Sequence, residues 1–149
     1  MEAQLFANEI LGPPEAAMAV AVLDDDPVTG GSFLAVWQSD GEDGDGFGVF
    51  AQAFDREGAA IPGLEPVQVN QPLDLSPTAP AVGNQFAATV ASDGDGHFVI
   101  AWQSINQERN QEGEGTSWGV YARQFTIDQG TNTIIPVQPA EFRVNQQTS

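Results

Sequence analysis

The sequence predicts an all-β chain: two copies of one four-stranded antiparallel unit, with one extra strand at the amino terminus. Three observations carry that expectation. Segments of the first half recur in the same order in the second half. The recurring segments are short and rich in Val, Phe, Trp and Tyr, residues that suit a pleated and largely buried surface. Each is bounded by Gly, Asp or Pro, which turn a chain between strands.

Taken in order, the chain opens with Leu5-Phe6-Ala7-Asn8, a spare strand within residues 1–9 that ends in Asn like the close of each repeat. Repeat one occupies residues 16–71. Its first strand, Ala19 to Leu23, is built from small residues and suits a crowded place. Pro14 to Ala21 taken alone has helix formers behind a proline, but its match to the β-branched Thr89-Val90 in Ala87 to Ala91 favours a strand. Strand two, Phe33-Leu34-Ala35-Val36-Trp37-Gln38-Ser39, matches Phe98-Val99-Ile100-Ala101-Trp102-Gln103-Ser104. Strand three, Phe47-Gly48-Val49-Phe50-Ala51-Gln52-Ala53-Phe54, matches Trp118-Gly119-Val120-Tyr121-Ala122-Arg123-Gln124-Phe125. Strand four, Val67-Gln68-Val69-Asn70-Gln71, matches Phe142-Arg143-Val144-Asn145-Gln146. Residues 72–84 read as a linker and 85–147 as repeat two.

Strand two is apolar on both faces, so both faces need cover. A four-stranded sheet buried on both sides is built like the blade of a β-propeller. Two sheets facing each other as a sandwich is the alternative, and it leaves each sheet one wet face.

Composition narrows the function. The 149 residues carry 21 acidic and 4 basic side chains, a formal charge of −17. Phosphate binding needs clustered Lys or Arg, so nucleic acid and anionic membrane surfaces are not expected partners. Hydrophobic residues make up 41%, enough for a core, and cysteine is absent, which excludes disulfides and thiolate metal sites. No apolar run approaches the ~18 residues of a membrane span. Met1-Glu2 opens without the basic and apolar regions of a signal peptide, as expected of a chain that has none or has lost it.

Two blades cannot close a ring that typically needs about four to eight, and a leftover strand is an edge that seeks a sheet. Self-association follows as the expectation. Leu5, Phe6 and Ala7 on the spare strand and Phe142 and Val144 on the last strand are its actors. Head-to-tail exchange of this kind gives a ring or a filament. A remnant of a longer tandem array and a monomeric sandwich are the alternatives.

The pattern Phe-x-x-Ala-Trp-Gln-Ser, an Asp/Gly-rich turn, Gly-Val-[Phe/Tyr]-Ala-[Gln/Arg]-x-Phe and a Val-Asn close resembles a tandem repeat of very large secreted bacterial proteins. These are calcium-dependent (RTX, haemolysin-type) adhesins and exoproteins. The resemblance covers nearly the whole chain. It implies a β-propeller-like fold, an extracellular or cell-surface bacterial setting and calcium dependence.

Candidate chemistry is sparse. Asp40, Glu42, Asp43 and Asp45 lie among glycines between strands two and three of repeat one, a donor set suited to calcium; the same segment reads as a solvated hairpin loop. Repeat two keeps only the widely spaced Glu108, Glu112 and Glu114 there. Asp24-Asp25-Asp26 and Asp93-Gly94-Asp95-Gly96 read mainly as turns. His97 is the only histidine, and repeat one has Ser32 in its place. Catalysis is not expected. Trp37 and Trp102 occupy equivalent strand positions and read as core. Trp118, beside the loop, is the candidate for stacking on a sugar ring, and Gln38, Gln52, Gln103 and Arg123 are polar strand residues that suit either sugar hydroxyls or the capping of sheet edges. The expected role is therefore structural: a non-enzymatic repeat protein that assembles with itself by strand addition into an extracellular fibre or ring. The alternative is a carbohydrate-binding lectin or adhesin module.

Overall fold

The structure, a computed structural model, describes residues 16–24, 31–41, 46–70, 83–105, 118–128, 131 and 133–145. Among them there is no helix. The described strands form two antiparallel sheets. The first joins β1 (Ala16–Asp24), β2 (Ser32–Asp40), β3 (Phe47–Asp55) and β4 (Val67–Gln68) in sequence order. The second joins β5 (Asn84–Ser92), β6 (His97–Ile105), β7 (Trp118–Asp128) and β8 (Thr133–Pro136), with β9 (Phe142–Arg143) also paired to β7. The spare strand of residues 1–9 and most of the linker lie outside the described residues.

The pairing registers of the two sheets correspond. Phe33 faces Phe54, Trp37 faces Phe50, and Ala51 faces Val67. In the second sheet Phe98 faces Phe125, Trp102 faces Tyr121, and Ala122 faces Phe142. β9 is therefore the counterpart of β4. β8 is an addition of the second repeat, where the first has only the isolated bridge between Phe54 and Ala60. The first strands match two residues away from the alignment drawn on sequence. Ala19 opposite Val36 corresponds to Thr89 opposite Ala101. The correction is an even number of residues, so no side chain changes face. The stretch from Ala16 to Ala21, helical by local propensity, is strand, because its backbone pairs along β2.

The front face of a sheet is here the one carrying Phe33, Ala35 and Trp37 or their equivalents Phe98, Ile100 and Trp102. The back face carries Leu34 and Val36 or their equivalents Val99 and Ala101. The core joins unlike faces. Leu34, Val36, Val49, Ala51, Ala53 and Val69 from the back of the first sheet form one cluster with Phe98, Ile100, Trp102, Tyr121 and Phe125 from the front of the second. A sandwich of equivalent sheets related by a two-fold would join like faces. Back-to-front packing is instead how successive units of a tandem stack meet. β5 lies closest, against β1, β2 and β3. Each fully buried aliphatic at this seam contributes about 1.5–3 kcal/mol.

Front faces are laid out alike in the two sheets. Phe33 and Phe54 stack at 5.5 Å between ring centroids, and Phe98 and Phe125 at 5.4 Å. The glycine of the Gly-Val motif also has a structural reason. A Cβ at Gly119 would strike the ring of Tyr121 two residues on.

Polar side chains lock the seam. Gln38 Oε1 accepts the Ala87 N–H at 3.1 Å. Ala87 sits at φ 51° in the β-bulge of β5, a conformation that an L-residue holds only under external constraint. Asn70 Nδ2 donates to Gln85 Oε1 at 3.0 Å, and Asn84 Oδ1 accepts the Phe47 N–H at 3.0 Å. Arg123 is buried, its guanidinium donating to the carbonyls of Val69 (3.1 Å) and Pro139 (3.0 Å) and lying 5.4 Å from the Phe125 ring centroid. Burial lowers its pKa, while the charge of Glu141 acts in the opposite direction.

Candidate functional site

Because the two repeats are equivalent, each back-face position of the second sheet has a counterpart whose burial is known. The counterparts differ sharply in exposure. Val69 is 0% exposed at the seam, whereas Val144 is 52% exposed. Val67 packs against the core; its equivalent Phe142 is 39% exposed. Gln38 is buried, and Gln103 is exposed. Asn70 is buried between the sheets, and Asn145 is exposed. The open face thus keeps the layout of an interface: Val99, Ala101 and Gln103 on β6 and Val120 on β7, with Phe142 and Val144 at the rim; Ala122 on β7 is buried, as its counterpart Ala51 is.

A second apolar strip lies at the opposite end of the stack. Met18, Val20 and Val22 on β1 pair with Trp37, Ala35 and Phe33, so they share the front face of the first sheet. All three are more than half exposed. The small-residue reading of this strand holds for its other side, where Ala19, Ala21 and Leu23 alternate inward. The signal for the exposed strip in the sequence is a period-two alternation of Met18, Val20 and Val22 with Ala19, Ala21 and Leu23. Across the rest of that front face, Ala35, Trp37, Gln52 and Phe54 are buried.

The residues singled out on sequence are dispersed. Leu5, Phe6 and Ala7 lie outside the described residues, as do Glu42, Asp43, Asp45, Asp25, Asp26, Glu108, Glu112 and Glu114. Asp40 ends β2 and is exposed. Among the described residues no three His, Asp or Glu side chains gather as a metal site would require. Trp37 and Trp102 are buried. Trp118 is 54% exposed and ends an aromatic row that crosses the seam, with Phe47 to Phe86 at 5.6 Å and Phe86 to Trp118 at 6.1 Å between centroids. Of the polar strand residues considered for sugar contact, Gln38, Gln52 and Arg123 are buried, which corrects that reading. Gln38 is committed to a backbone N–H of the other repeat, and Arg123 to carbonyls of both repeats; of the four, only Gln103 is exposed.

Asp93 closes the β5–β6 turn. Its Oδ1 accepts the N–H groups of Asp95 (2.8 Å) and His97 (3.2 Å), and its Oδ2 meets His97 Nδ1 at 2.9 Å. The Asp95 N–H is the main cause of its lowered pKa. His97 therefore belongs to a turn clasp. A shallow cavity of about 460 Å³ beside it is lined by Ser92, His97, Phe98, Gln124, Phe125 and Val137 among others. Asp93 lines it too, and the Ser92 hydroxyl there accepts the Gly94 N–H at 3.0 Å.

Fold and surface together define an all-β tandem-repeat protein of two back-to-front sheets with an apolar strip at each end. Comparison of the chain with known protein families, characterised proteins and solved structures finds no match.

Proposed function

We propose that this protein is a non-enzymatic structural repeat protein that associates with copies of itself into a ring or fibre. One observation carries the reading: Val144 and Phe142 stand half-open where their counterparts Val69 and Val67 pack into the core. A repeat unit gains stability from a neighbour on each side, and among the described residues the second sheet packs against another sheet on one side only. In this reading the protein works outside a bacterial cell, as its resemblance to secreted adhesin repeats implies. Its charge of −17 makes copies repel one another unless salt or a divalent cation such as calcium screens them.

Native mass by light scattering, over a range of protein concentration in calcium-containing buffer, tests the proposal. A discrete multiple of the 15.8 kDa chain supports a ring, and a large heterogeneous mass supports a fibre. A monomer at every concentration refutes both. Deleting residues 1–8 asks whether the amino-terminal segment carries the association by strand addition. An unchanged mass assigns it elsewhere.

A sugar-binding module is the second reading, favoured by the exposed ring of Trp118 at the end of its aromatic row. Glycan-array binding that disappears in Trp118→Ala would support it.

A further inference from the structure

We infer that copies of this chain stack head to tail through their sheet faces. The open back of the second sheet in one copy receives the β1 strip of the next. This rests on the self-association proposed above and assigns its surface and polarity.

The template is the seam inside the chain. There, β5 of the second sheet lies against the back of the first, inserting Ala88 and Val90 from its front face. By pairing register Met18 and Val20 are the equivalents of Ala88 and Val90, since they stand opposite Trp37 and Ala35 as Ala88 and Val90 stand beside Trp102 and Ile100. These equivalents are exposed. The receiving surface is likewise duplicated: Leu34, Val36 and Val69 reappear as the partly exposed Val99 and Ala101 and the exposed Val144, while Ala122, the equivalent of Ala51, is itself buried. Donor strip and receiving face thus occur twice in the chain. One pair is joined internally; of the other, Met18, Val20 and Val22 at one end and Phe142 and Val144 at the opposite end are exposed.

The polar lock is duplicated too. Gln38 receives the N–H of Ala87 in the bulge of β5. Gln103, its exposed equivalent, offers the same acceptor on the open face. β1 carries an irregularity between Ala16 and Met18, at the position matching the bulge of β5. A neighbouring copy presenting β1 therefore meets both the apolar surface and the acceptor that β5 meets inside the chain. Faces joined this way are unlike, so the contact is heterologous and grows until a rotation closes it.

The test uses the full chain with one lysine at each end of the stack, Val20→Lys or Val144→Lys. Both sites are more than half exposed, so folding is not at stake. Lysine is chosen because another carboxylate on a chain of −17 would weaken any association. Each variant alone is expected to lose assembly, its affinity falling ~10-fold or more through burial of an unpaired charge, while Glu57→Lys assembles like the parent. An equimolar mixture of the two variants is expected to give a two-chain complex and nothing larger. In that complex the intact back of the second sheet in Val20→Lys meets the intact β1 strip of Val144→Lys.

Assembly of either variant at parental affinity, or a mixture that stays monomeric, overturns the stacking while leaving self-association standing. A parental chain that never assembles overturns the wider reading instead. If assembly is unaffected by both lysines but lost on deleting residues 1–8, strand addition carries the contact and the stacking inference fails.

Discussion

At the scale of single residues, polar side chains in this protein act mostly on its own backbone. Asp93 gathers the N–H groups of Asp95 and His97 and the imidazole of His97, and Gly94 and Gly96 at φ 80° and 82° let the turn wrap around it. Asp-Gly-Asp-Gly was legible as a turn because both residue types favour that conformation. The histidine's partner was not legible, since it depends on how the turn closes. Asp93 has a folded-state pKa below its unfolded value, so its contribution is present above the ordinary carboxylate range and is lost as pH falls through the folded value. The melting temperature of Asp93→Ala should therefore lie below that of the parent at pH 7. The two should converge in strong acid; a pH-independent gap would show that the carboxylate's charge is not involved.

Among the elements, the closing strand shows what a repeated motif can mean. β4 and β9 are each two residues long, too short to hold themselves in a sheet. Each is continued by a Val-Asn clasp. The N–H of Val69 donates to the Val49 carbonyl at 2.8 Å, and Asn70 Oδ1 accepts the Val49 N–H at 2.9 Å. Val144, Asn145 and Val120 repeat the pattern at 2.7 and 2.7 Å. Sequence comparison found the Val-Asn repeat; its role as a strand extension required the registers. The copies differ in surroundings, because Asn70 is buried and also bonded to Gln85. Asn70→Ala should lower unfolding free energy by about 2–3 kcal/mol by leaving buried groups unpaired, whereas Asn145→Ala, whose partners water can reach, should lose under ~1 kcal/mol. Urea denaturation of both variants checks the contrast. Equal losses would mean that the seam adds nothing to the clasp.

For the whole molecule, one core spans both sheets, so neither sheet should unfold alone. Trp37 reports on the first sheet and Trp102 on the second. With Trp118 and either one replaced by Phe, the fluorescence transition of the remaining tryptophan should coincide in each variant with that of far-ultraviolet circular dichroism. A separation beyond ~0.5 M urea would indicate independent units. The acidic surface bears on assembly at this same scale, through long-range repulsion that salt screens.

The sequence by itself determined the all-β class, the recurring segments, the positions of β2, β3, β6 and β7 and the burial of Trp37 and Trp102; β8 and the match of the first strands it did not. What it determined follows from local residue preference and from comparing one half of the chain with the other. Only the tertiary structure decided which faces meet, that the seam joins back to front, and that β1 turns Met18, Val20 and Val22 outward. It also withdrew Gln38, Gln52 and Arg123 from the surface. Alternation along a strand separates two faces without saying which neighbour each one meets. That choice depends on contacts between residues far apart in the chain, such as Gln38 with Ala87 and Arg123 with Val69.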